Sequence, residues 1–523
     1  MKTTAALKAL LALSLGTVLA FGEGISLNED STNFLLHAES FFREGGNSDR
    51  GAICEDLRRF ADYYGQGQTR EVIFNANSQK VSYGTRTRFD TWWTDCEFQE
   101  DGNVLYKGVP LASGLARLAQ NAKRLHDLDI NPYSVWFNHL RETGYSPWIS
   151  MRMNDLHGAT PEDYLTCNFW AEHTELRSTP GGPSGYDFAQ EEVQKFSLEL
   201  VHEYLTLFDV DGIELDWTRF MEMLRLGHEL ADAPRITDFI RKVRREADAA
   251  AARLGHPVKV GVRIPSRPDE ALELGYDFRA WVKEKLVDMI VPTNFFPSTD
   301  SDMPLETWRK LVGPEVILGA GLDVWTGITV PGDMYNNPPE MVFGYAAQYW
   351  YRGADRIYLF NHMVGMTGDV EKDAAWMAKI LAAAGSKETA YAAHRRHVVT
   401  YCVARPNQPR YVTLPAQVLA SKSWRLNVGG GTAGRHAMVV LGILPLETDL
   451  GQLSVSVNGQ ECTEADQLPE WFTMKPQFTV TNEQRTLLVR RIPAEALVDG
   501  YNDIRVDNAG SPITVNWVEI LID

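Results

Sequence analysis

Asp211-Gly212-Ile213-Glu214-Leu215-Asp216-Trp217-Thr218-Arg219-Phe220 decides the reading of this chain. Ile213, Leu215 and Trp217 alternate with Gly212, Glu214 and Asp216, which is the period of a β-strand. A buried strand does not ordinarily carry two carboxylates on one face, because Asp and Glu are almost never fully buried unless paired. As the inner strand of a barrel, the stretch points Glu214 and Asp216 together into the mouth of a cleft. Two neighbouring carboxylates in unlike environments are what acid–base chemistry on a glycosidic bond requires. The competing reading is a structural ion pair with Arg152, Arg219 or Arg263.

Outward from that strand, residues from Glu71 to about Ala384 alternate short apolar strands with amphipathic helices. Strands are expected at 72–75, 148–153, 210–217, 258–264, 288–295, 316–322 and 356–360, with helices between them. This alternation predicts a parallel sheet, and a (β/α)8 TIM barrel fits it better than an open sheet. One strand remains to be placed, and it is expected between about 94 and 134. Residues 21–69 read as an N-terminal lead-in, and the barrel is expected over 70–390. No GxGxxG or P-loop follows any strand, so no nucleotide cofactor is expected.

After about residue 395 the pattern changes to short strands separated by Gly, Asn and Asp turns. Val457-Asn458-Gly459-Gln460 is a hairpin signal. Residues 395–523 are therefore read as an all-β, jelly-roll-like sandwich domain. It either binds carbohydrate or supports the barrel, and the lack of an evident exposed aromatic row favours support.

Active residues of a (β/α)8 barrel sit at the carboxyl ends of its strands. Those ends carry Arg152 and Asn154, with Asp155 and His157 just beyond, then Glu214, Asp216 and Arg219. Arg263, Asn294, Asp323, Asn361 and His362 follow at later ends. Asp216 is the candidate nucleophile or base, and Glu214, Asp155 or Asp323 the proton donor. Arg152, Asn154, His157, Arg219, Arg263, Asn294, Trp325, Asn361 and His362 are candidate substrate-binding residues. Trp92, Trp93, Trp170, Trp325 and Tyr335 fall in connecting loops, where rings stack on sugars or cap barrels. A metal site of Asp155, His157, Glu214 and Asp216 is an alternative, although no HExxH or compact ligand set supports it. A non-catalytic glycan-binding barrel is another.

Three stretches, 148–157, 210–219 and 353–361, resemble the glycoside-hydrolase-like barrels loosely called family 10-like glycosyl hydrolases. The likeness covers about 70–384 and maps a typical DG-x-x-x-D-x-x-R strand onto Asp211, Gly212, Asp216 and Arg219. It implies a carbohydrate-active barrel. The strand also looks like the DGxDxDxE strand of chitinases, but the acid glutamate position holds Thr218. Similarity to alpha-galactosidases would pair a nucleophile at Asp216 with an acid at Asp323 or its neighbours.

The 523-residue chain has a formal net charge of −18, from 51 Lys and Arg against 69 Asp and Glu. That balance excludes nucleic-acid binding through a basic face and opposes an anionic membrane surface. It suits a neutral carbohydrate; a polyanionic one would need a local basic pocket. Lys2, Lys8, the apolar run Leu10–Leu19 and the small residues Val18-Leu19-Ala20 read as a secretory leader cleaved after about Ala20. The expected location is secreted or periplasmic. Later apolar runs fall short of the ~18 residues of a membrane span. Of the five cysteines, Cys54 and Cys96 are a candidate disulfide, with buried free thiols the alternative. The oligomeric state is not legible.

Overall fold

The computed structural model describes residues 22–38, 49–158, 160–295, 298–330, 334–405, 408–465, 467–472 and 485–523. The leader and its cleavage position lie outside the described residues. Eight parallel strands close into a barrel: β1 Ile25–Asp30, β2 Thr69–Asn75, β3 Ser146–Arg152, β4 Gly212–Asp216, β5 Lys259–Pro265, β6 Met289–Thr293, β7 Ile317–Asp323 and β8 Arg356–Phe360. Each pairs with its sequence neighbour, and β1 pairs with β8 to complete the ring.

The eighth strand is not where the sequence suggested. It is β1, inside the segment read as a lead-in, so the barrel begins well before residue 70. The 94–134 stretch instead holds a small antiparallel meander, Cys96–Phe98, Val104–Tyr106 and Val109–Pro110, and the helix Ser113–Asp127. The proposed Cys54–Cys96 bridge is also absent, since both are free thiols.

The outward residues of β4, Ile213 and Leu215, are buried beneath the surrounding helices. Trp217 packs there against Phe188 and Phe239. Inside the barrel, Ile73, Trp148, Met289, Val291, Ile317, Tyr358 and Phe360 form their own apolar cluster. Trp148 fits because Gly212 and Gly261 face it: a Cβ on either would stand 2.5 or 3.0 Å from its ring. The two glycines thus make room for the indole that plugs the barrel.

Among the described residues beyond 395 the strands are antiparallel, in a six-stranded sheet, a four-stranded sheet and a two-stranded ribbon. Asn458 and Gly459 adopt positive φ of 49° and 81°, and Val457 pairs with Gln460. This is the tight primed turn that Asn-Gly favours. The domain is fused to the barrel. Helix Pro339–Tyr351 packs on strand Arg395–Val398, and Phe295 N–H donates to the Val403 carbonyl at 2.7 Å. The Thr400 hydroxyl donates to the Thr299 carbonyl at 2.6 Å.

Candidate active site at the barrel mouth

Strand register builds the site in layers. Arg152 lies beside Asp216, and Asp216 beside Arg263, so one row across β3, β4 and β5 reads Arg–Asp–Arg. One layer deeper, Ser150 lies beside Glu214, which faces Gly261. Trp148 and Gly212 form the layer beneath.

Asp216 is spent on both oxygens. Oδ2 accepts from Arg263 Nη1 at 2.8 Å. Oδ1 accepts from the Thr218 backbone N–H at 3.0 Å and its hydroxyl at 2.7 Å. Arg263 in turn lies 3.5 Å over the Phe360 ring. Both partners of this ion pair are almost fully buried.

Glu214 Oε1 accepts from Asn28 Nδ2 at 2.8 Å and from Ser150 Oγ at 2.7 Å. Oε2 and the Tyr358 hydroxyl face each other, close enough to interact but without a well-formed hydrogen bond. Burial, and then the neighbouring Asp216 charge, push the Glu214 carboxyl up to about 7. An ordinary glutamate therefore becomes a group that holds its proton near neutrality.

Asp323 ends β7 and accepts from the Trp325 N–H at 3.2 Å. Burial pushes its carboxyl up to about 6, against the pull of that hydrogen bond and of Arg263 and Arg219. Asp155 behaves oppositely. Despite burial, His157, Arg152 and Arg219 hold its carboxyl well below the usual range. Its Oδ1 accepts from the His157 N–H at 3.0 Å and meets Nδ1 at 2.6 Å. Arg152 bridges Asp155 at 3.3 Å and Asp30 at 2.5 Å.

Arg219 Nη2 meets His157 Nε2 at 2.8 Å. A guanidinium can only donate, so His157 Nε2 accepts and Nδ1 carries the proton toward Asp155.

The structure thus gathers Glu214, Asp216, Asp323, Asp155, Arg152, Arg219, Arg263 and His157 at one end of the barrel. Asn154 is nearby, but its Oδ1 is taken by the Tyr186 N–H at 3.0 Å. Asn294 serves the second domain: it donates to the Tyr401 carbonyl at 3.1 Å and accepts from Val403 N–H at 3.3 Å. His362 is buried, bonded through Nδ1 to the Phe360 carbonyl at 2.9 Å and stacked on Trp376. Burial holds it down at about 4, so it is neutral.

A cavity of about 400 Å³ is lined by Val324, Trp325, Asn361, Met363, Lys372 and Trp376 among others. Of the other loop aromatics, Trp92 and Trp170 are buried caps. Trp93 stacks on His126, and Tyr335 packs on Trp517 of the second domain. Asn28, Asp30 and Tyr358 belong to the site and were not singled out from sequence. All three alternate inward on their strands, which is the signal that could have found them.

Among the described residues, no group of three or more His, Cys, Asp or Glu is placed to hold a metal ion. No helix among them is long and apolar enough to cross a membrane.

These elements define a (β/α)8 barrel followed by a domain of antiparallel sheets. No protein-family model matches the sequence, and no curated protein matches it. Among solved structures, the glycoside hydrolase domain of PgaB (BpsB) from Bordetella bronchiseptica is similar at 10% identity and TM-score 0.38, covering 68% of this chain and 99% of that one. The catalytic domain of psychrophilic chitinase B from Arthrobacter TAD20 is similar at 10% identity and TM-score 0.38, covering 71% and 98%. A cycloisomaltooligosaccharide glucanotransferase from Paenibacillus sp. is similar at 10% identity and TM-score 0.34, covering 96% of this chain and 58% of that one. The present chain thus spans little more than half of that transferase. At such distances the chemistry has to be read from this chain's own residues.

Proposed function

We propose that this chain is a glycoside hydrolase acting on an oligo- or polysaccharide. The observation that carries the reading is the contrast between two carboxyls at one barrel mouth. Asp216 is locked in an ion pair with Arg263, and Asp323 is pushed up to about 6 by burial. Glycosidic hydrolysis needs such a pair, one carboxylate as nucleophile or base and one carboxylic acid as proton donor. Asp216 takes the first role and Asp323 the second. Glu214, a layer deeper and held by Asn28 and Ser150, is a positioning residue that sets the field at Asp216. Asp155 orients His157 and so belongs to the supporting network. Trp325 and Trp376, which line one cavity, offer rings for sugar stacking. The likeness of the strand-end stretches to family 10-like glycosyl hydrolases points the same way.

The test is reducing-sugar release from a broad polysaccharide panel, with wild type beside Asp216→Asn. Wild type is expected to release sugar, and the variant to lose activity by about 100-fold or more. The wild-type rate should fall as pH rises through about 6, where Asp323 gives up its proton. Equal release by both proteins would refute the role of Asp216. The burial of Asp216, 1% exposed, favours one rival, a glycan-binding barrel without turnover. Glycan binding by wild type with no release from the bound glycan would establish that rival.

A further inference from the structure

A second cavity, of about 580 Å³, lies at the seam between the barrel and the second domain. That volume is ordinary for a small-molecule site. Its barrel wall is made by Arg267, two residues past β5, and by residues 300–302, past β6. The cavity is therefore on the carboxyl-end side of the barrel, the side that carries Asp216 and Asp323. Its other wall comes from residues of the second domain between 399 and 425.

One aromatic ring in this lining is held rigid and left open. Tyr411 is 54% exposed. Its backbone is left-handed, with φ of 57°, a conformation uncommon for a bulky side chain and kept only where the surroundings impose it. Just before it, Arg410 is ion-paired to Glu270 at 3.3 Å and to Glu273 at 3.1 Å. Against the ring, the Arg267 guanidinium lies 4.0 Å from the centroid. Arg267 is itself fixed by the buried Asp300 carboxylate at 3.1 Å and donates to the Asp302 carbonyl at 3.3 Å. One face of the ring is thus covered, and the other is free to take a ligand. A ring kept only for stability would be packed on both faces.

The wall around the ring is polar. Gln417, Ser423 and Arg425 line it, and among the described residues their side chains make no hydrogen bond. Arg425 is nonetheless oriented, its guanidinium 3.9 Å from the Tyr501 ring centroid. The lining holds three cations, Arg267, Lys422 and Arg425, against two carboxylates, Asp300 and Asp302, a balance that favours a neutral ligand. Both carboxylates are already engaged, Asp300 by Arg267 and Asp302 by Arg352 and the Tyr501 hydroxyl. The cavity is therefore equipped to bind and not to cleave.

We propose that this seam is a second saccharide site, which stacks a neutral sugar unit of a glycan chain on Tyr411. A pyranose offers a face of C–H groups to the ring and a rim of hydroxyls to the amide, hydroxyl and guanidinium groups around it. The inference rests on the glycoside-hydrolase reading for the choice of a glycan as ligand. On that reading, the seam holds one part of a long substrate while another part lies in the barrel mouth, and the second domain does more than support the barrel.

The test uses the full chain in affinity gel electrophoresis, with neutral β-glucan, xylan, galactomannan and glycol chitin as probes. Sugar release is measured separately, from the same polymers and from their short oligosaccharides. At least one polymer is expected to retard wild type. Tyr411→Ala should bind that polymer about 10- to 100-fold more weakly, the usual cost of truncating an aromatic anchor. Tyr411→Phe should bind as wild type does, because the ring and not the hydroxyl makes the contact. Tyr411→Ala should release sugar from short oligosaccharides at the wild-type rate and from the retarding polymer with a raised KM. Melting temperatures establish that both variants are folded. Retardation lost in Tyr411→Ala, with no sugar released by wild type, keeps this inference and sinks the hydrolase reading. Release by wild type, with equal retardation of wild type and Tyr411→Ala, does the reverse. No retardation of wild type by any probe overturns this inference, as does Tyr411→Phe binding as weakly as Tyr411→Ala.

Discussion

Burial and the charge of Asp216 leave Glu214 holding its proton where a free glutamate has lost it. Between the ordinary value of 4.5 and about 7, the folded chain binds this proton more tightly than the unfolded chain. The stability that Glu214 contributes is therefore present at low pH and is lost as pH rises through about 7. His362 works with the opposite sign: kept neutral down to about 4, it makes the fold gain stability as pH rises toward 6.5. The whole-protein profile mixes both, so the difference between wild type and Glu214→Gln is the useful quantity. Subtracting the variant's melting temperature from that of wild type should give a value that declines from pH 5 to pH 8. A flat difference would mean Glu214 does not titrate in that window. Glu214 and Asp216 were legible because two carboxylates on one strand face break the expectation for a core strand. Their partners were not. Asn28 and Asp30 sit on a strand whose apolar signal is Ile25 and Leu27 alone, and Tyr358 reads as an ordinary core aromatic.

At the level of elements, β4 is set by what its neighbours exclude. Gly212 leaves the space that the Trp148 ring fills, and the closest ring atoms would be 2.5 Å from an added Cβ. Gly212→Ala should cost about 1–3 kcal/mol, the usual penalty of overpacking, read as a lowered urea midpoint at unchanged slope. A variant as stable as wild type would show that the indole can tilt away. The alternation of strands and helices announced seven of the barrel strands, because their outward faces are apolar and rich in Val, Ile and Leu. β1 was missed because Ser26, Asn28, Glu29 and Asp30 make it look like a loop. Its inward polar residues serve the site, and even its outward Glu29 is buried, with burial raising its carboxyl well above the usual range. The hairpin at Asn458-Gly459 was legible because a primed turn needs residues that tolerate positive φ.

At the scale of the whole molecule, the barrel and the second domain are packed and hydrogen-bonded together, and they are expected to unfold as one body. Helix Pro339–Tyr351 buries Val342, Phe343, Ala346 and Ala347, and Gly344 lets it approach so closely that a Cβ there would collide with the Arg396 carbonyl. Asn294, at the barrel mouth, is spent on Tyr401 and Val403. Calorimetry of the full chain should show one unfolding transition, and removal of residues 395–523 should yield an aggregating barrel. Two separate transitions, or a soluble and folded barrel alone, would contradict this. The same unity has a temporal side. Residues 25–28 are hydrogen-bonded to residues 357–360, so the ring cannot be completed until almost the whole barrel has been synthesised. β1 can pair early with β2, but its other edge must wait for β8. A nascent chain therefore carries an unsatisfied strand edge through most of its synthesis, the condition under which chains are captured by chaperones or pair wrongly.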